Sequence, residues 1–99
     1  MVKDVVVVDS PGGSYVHPPI LAVTSGDTVV FHAVGKQPRV TLNLSAELFE
    51  GVGTTLTFDG RTKPLTVARR EQGEYDYTAQ FQQSHIFATG GSFPKVIIY

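Results

Sequence analysis

The segment Gly73–Phe81, GEYDYTAQF, alternates without a break. Tyr75, Tyr77, Ala79 and Phe81 are separated by Glu74, Asp76, Thr78 and Gln80. A period of two places the first set on one face of an extended chain and the second on the other, the pattern of a half-buried β-strand. The same period recurs along the chain: Val29 and Phe31 in TVVFH, Val40, Leu42 and Leu44 in RVTLNL, Leu56 and Phe58 in TLTFDG, Leu65 and Val67 in PLTVARR. Each such strand has one apolar face to bury, so two sheets must close on each other. The pattern predicts an all-β Greek-key β-sandwich or barrel.

The punctuation agrees with that fold. TSGD separates two apolar runs, with Gly26 supplying backbone freedom for a tight turn and Asp27 a local hydrogen-bonding side chain. SPGGSYVHPP reads as a loop and GKQP as a turn. One short helical turn at most is expected, in SAELFEGVG, with Ser45 as cap, Leu48 and Phe49 within it and Gly51 ending it. Val5–Val8 is β-branched on both faces, which suits either a strand covered on both sides or an edge used by a partner. Residues 1–99 are expected to form one domain.

Composition removes several functional classes. With 8 basic and 9 acidic residues the net charge is −1, and no basic run exceeds Arg69–Arg70, so the concentrated positive patch of a nucleic-acid binder is lacking. Cysteine is absent, which excludes disulfides, thiolate nucleophiles and thiolate-held metals. MVKDVVVVDS lacks the apolar core of a signal peptide, and no segment has the length of a membrane span. A soluble chain without membrane insertion is expected, either cytoplasmic or a mature exported domain.

YVHPPILAVTSGDTVVFHAV resembles the cupredoxin pattern: an aromatic-x-Pro stretch, an apolar strand, a Gly-Asp turn and a Val-x-Phe strand. GEYDYTAQF is similar to that family's Gly-x-Tyr-x-Tyr strand, and KVIIY to its terminal strand. The resemblance covers most of the chain outside Ser45–Arg61. It implies a cupredoxin-like sandwich and, in true members, a mononuclear copper site for electron transfer. The copper-ligand places it implies hold Pro38 for the first histidine, Ala79 for the thiolate and a position near Gln82 for the second histidine. Met1 is the only methionine and no candidate for the axial thioether. Blue-copper chemistry needs the thiolate and both imidazoles together, so no copper cofactor is expected.

Other chemistry is equally sparse. His17, His32 and His85 have no i,i+2 or i,i+4 spacing, so an improvised metal site from all three requires the fold to bring them together. Ser84 adjoins His85 without a nucleophile elbow, and Glu71, Glu74 and Asp76 around one turn suit a solvated cluster. An enzyme is not expected. A binding or structural module is, with a protein partner or a homo-oligomer as the association. The candidate contact residues are Phe81, Ile86, Phe87 and Phe93 around the FQQSHIFATGGSFPK loop, with Ile97 and Tyr99 on the terminal strand. Phe87 and Phe93 either plug the end of the core or face a partner. Ile97 and Tyr99 lie opposite in parity to Val96 and Ile98, so one pair faces outward or is covered.

Overall fold

In the computed structural model of the chain, residues 2–10, 13–35, 39–81 and 94–99 are described, and every regular element among them is a β-strand. The order is β1 (Val2–Ser10), β2 (Gly13–His17), β3 (Ile20–Val23), β4 (Thr28–Val34), β5 (Arg39–Leu44), β6 (Thr55–Asp59), β7 (Leu65–Thr66), β8 (Gly73–Phe81) and β9 (Lys95–Ile98). One sheet runs β2-β1-β4-β7 and the other β3-β9-β8-β5-β6. β1 pairs with β4, and β3 with β9, in parallel, while the remaining pairs are antiparallel.

The period of two maps directly onto burial. Val29 and Phe31 of β4, Val40, Leu42 and Leu44 of β5, and Tyr77, Ala79 and Phe81 of β8 all point into the space between the sheets. Phe31 is the hub of the core. Its ring meets Phe49 at 5.8 Å and Tyr77 at 6.0 Å, both edge-on, and Phe58 at 6.5 Å with a tilt of 44°. Such geometry sets the positive ring edge against a neighbour's negative face.

Three expectations need correction. Val5–Val8 is no edge: β1 lies between β2 and β4, with Val5 and Val7 in the core and Val6 and Val8 on the outer face. The SYVH part of the predicted loop is a strand, because it folds back on β1 in the register Val6↔His17 and Val7↔Val16 and buries Val16. The helical turn after Ser45 is absent among the described residues. Phe49 instead bridges to Val67, Glu50 N–H donates to the Thr66 carbonyl at 2.9 Å, and Ala68 N–H donates to the Leu48 carbonyl at 2.8 Å. The backbone of this segment finds its partners across the fold, so nothing is left for an i→i+4 ladder. Gly51, at φ 75°, then turns the chain as a helix C-cap would.

Where β7 stops, a side chain extends the ladder. Thr62 N–H donates to the Phe31 carbonyl at 2.9 Å, and Phe31 N–H donates to Thr62 Oγ1 at 3.1 Å. That explains a buried threonine in an otherwise apolar interior.

The TSGD turn forms as its chemistry requires. Gly26 sits at φ 92°, Asp27 N–H donates to the Thr24 carbonyl at 3.1 Å, and Thr24 N–H donates to Asp27 Oδ2 at 3.0 Å. The Thr24 backbone hydrogen bond lowers the Asp27 pKa. A folded-state pKa below the unfolded one stabilises above the unfolded value and is lost as pH falls through the folded value. Asp27→Ala is therefore expected to lower the melting temperature at neutral pH and to converge with the wild type in acid, as pH falls through the lowered folded-state value and the carboxylate is protonated. Thermal melts at neutral and acid pH check this.

Candidate functional site

The corner where the resemblance places copper is built from β8 and β5. Ala79 pairs with Leu42 and Phe81 with Val40, and all four side chains are fully buried. Ala79, the implied thiolate position, offers a methyl group to the core, and the chain has no cysteine elsewhere to replace it. The donor set does not fit a thiolate-bound copper. Phe81 is packed inside the sandwich with no exposed surface, which corrects its candidacy as a contact residue. Pro38, Gln82, Ser84, His85, Ile86, Phe87 and Phe93 lie outside the described residues.

The strand register reveals a relation among histidines that spacing hides. Val6 of β1 pairs with His17 on one side and His32 on the other, so both imidazoles stand on the outer face of the same sheet in one transverse row. Two strand spacings, roughly 9–10 Å between backbones, separate them. His32 Nε2 is held by Asp4 Oδ1 at 2.9 Å. Among the described residues, no three metal-ligating side chains are grouped to hold an ion. His32 and Asp4 also meet the distance criterion for an acid–base pair, yet they lie on the open outer surface. Clefts of about 260, 360 and 370 Å³ open on the described surface, and neither His17 nor His32 lines any of them.

Ile97 and Tyr99 do face outward. Val96 and Ile98 fill the core, Ile97 is half-buried on the outer face, and Tyr99 is 64 % exposed. Across the parallel ladder Ile97 pairs with Ala22, and Ile20, 55 % exposed, pairs with Lys95. Ile20, Ala22, Ile97 and Tyr99 thus make an apolar strip on the outside of β3 and β9. Sequence reasoning misses Ile20 and Ala22, although their parity, opposite to the buried Leu21 and Val23, carries the signal. On the β8 side charge borders the strip: Glu74 pairs with Ile97, and Lys95 Nζ donates to Asp76 Oδ1 at 2.9 Å. The Asp76 carboxylate beside it raises the Lys95 pKa.

No helix of the described residues is long and apolar enough to cross a membrane.

No protein-family model and no curated protein matches the chain. Solved structures do. A proline-to-glycine variant of oxidised amicyanin superposes with a TM-score of 0.56 at 22% identity, over 95% of this chain and 80% of that one. A methionine-to-alanine variant of amicyanin in its Cu(I) form gives 0.51 at 23% identity, over the same shares. The fold is therefore cupredoxin-like, as the strand motifs imply.

Proposed function

We propose that this cupredoxin-like domain is a non-catalytic binding or structural module that engages a protein through the outer strip of β3 and β9. The supporting observation is that strip itself. Ile20 and Tyr99 expose more than half their surface, and Ala22 and Ile97 join them on one sheet face. Apolar surface gathered on one face is costly to leave in water and characteristic of contact sites. The amicyanin neighbour is a Cu(I) form. Here the implied thiolate position is a buried alanine in a chain without cysteine, which removes electron transfer by a blue-copper centre and leaves the sandwich as a scaffold.

Two measurements test this proposal. A photo-cross-linking residue in place of Tyr99 is expected to trap a protein neighbour, and Ile20→Lys combined with Tyr99→Ser to abolish binding of that neighbour while leaving the melt unchanged. Titration with Cu²⁺, Zn²⁺ and Ni²⁺ is expected to leave the melting temperature within about 1 °C, since a tight ligand raises it by mass action. A stabilising metal lost on replacing His17 or His32 would favour the improvised histidine site instead.

A further inference from the structure

We infer that β6 is a self-complementary edge through which two copies of this chain pair. An unpaired edge strand offers alternate N–H and C=O groups to any second strand, and folded proteins usually block such edges with prolines, charges or brevity. Among the described residues the edge strands are β2 and β7 in one sheet and β3 and β6 in the other. Pro11 and Pro18 flank β2 closely. β7 is two residues long and follows Pro64. β3 follows Pro19, and Lys3 Nζ donates to its Ala22 carbonyl at 2.6 Å.

None of these devices protects β6. Its sequence, TLTFD, has no proline, lysine or arginine and runs between Thr54 and Gly60. Its one charge is satisfied within the chain: Arg39 Nε and Nη2 donate to the two Asp59 carboxylate oxygens, each at 3.0 Å. Among the described residues, β5 is its sole strand partner.

An antiparallel pair of β6 strands centred on Thr57 is complementary on both faces. Leu56 falls opposite Phe58 of the second copy toward the core side, and Thr55 opposite the second copy's Asp59 on the outer side. Thr57 meets its own equivalent at the two-fold axis. The existing Thr41 Oγ1–Thr57 Oγ1 hydrogen bond, 2.9 Å, would become half of a four-threonine row across the joined sheets. No like charges meet, and a closed two-fold pair results. Five residues of strand bury well under the ~1,000 Å² of a stable interface, so the dimer is weak and concentration-dependent.

Charge exchange at the axis tests this. Sedimentation from about 10 μM to about 1 mM is expected to show wild-type dimerisation. Thr57→Lys alone and Thr57→Glu alone place like charges face to face, and each is expected to weaken association by roughly tenfold or more, while their equimolar mixture restores it. Independently of any variant, the wild-type amide resonances that shift with concentration are expected to be those of Thr55–Asp59. A wild type monomeric throughout, single variants that associate as the wild type does, or a mixture no better than its parts would overturn the inference. Each outcome is separate from the strip on β3 and β9, because Ile20→Lys with Tyr99→Ser leaves this dimer intact.

Discussion

Phe31→Ala is expected to cost about 3–5 kcal/mol and to lower the melting temperature by roughly 15–30 °C. Phe31 is completely buried, and three of the large core rings, Phe49, Phe58 and Tyr77, pack on it. Truncation removes the apolar surface of one ring and also leaves a void that those three neighbours line. They sit on separate elements (the segment between β5 and β6, then β6 and β8), and their backbones are tied by strand pairing or, for Phe49, by its bridge to Val67, so they cannot all move inward together. Against a total stability of about 5–15 kcal/mol for a chain this long, the loss is a large fraction of the whole. Phe31→Leu keeps most of the volume and is expected to cost less than half as much. Chemical denaturation of both variants with a shared slope checks the pair. Equal losses would mean that ring-edge geometry, and not filled volume, holds the centre of the core.

What sequence reading recovers follows from how far each signal reaches. Burial parity is local, so Val40, Leu42 and Leu44, or Tyr77 and Ala79, are legible one strand at a time. Phe81 shares that parity, so its burial is legible in the same way even though it borders the following loop. Partners across the fold leave no local trace. Nothing within VVVV says that β1 lies beside β4 in parallel, and nothing in SAELFEGVG distinguishes a helical turn from a stretch whose hydrogen bonds go to Thr66 and Ala68. The same limit hides the row of His17, Val6 and His32, which exists only in the register of three strands. ILAV is apolar on both faces, so it lacks the contrast that marks an outward residue, and Ile20 escapes notice. Ile97 and Tyr99 stand out only as one of two pairs of opposite parity, and the fold decides that Val96 and Ile98 are the buried pair.

Tyr77→Phe is expected to stabilise the protein by about 1–2 kcal/mol at neutral pH, although it removes a polar atom from one of the few polar side chains inside the sandwich. The Tyr77 hydroxyl is buried and has no hydrogen-bond partner among the described residues. In the unfolded chain water satisfies it, and folding strips that water away. The ring itself is kept by the substitution, with its edge-on contact to Phe31. The same burial pushes the phenol pKa well above its ordinary value near 10. A pKa raised by folding means the contribution is complete below the unfolded value and is lost as pH rises above it, because the unfolded chain gives up the proton first. Wild-type stability should therefore fall by up to about 1.4 kcal/mol per pH unit above pH 10 through this one group. The phenylalanine variant lacks that slope, so its advantage should widen between about pH 10 and pH 11.5 in denaturant titrations. A variant less stable than the wild type at neutral pH would overturn this account. It would mean that the hydroxyl is hydrogen-bonded in the folded protein and that the tyrosine is held there by a polar contact.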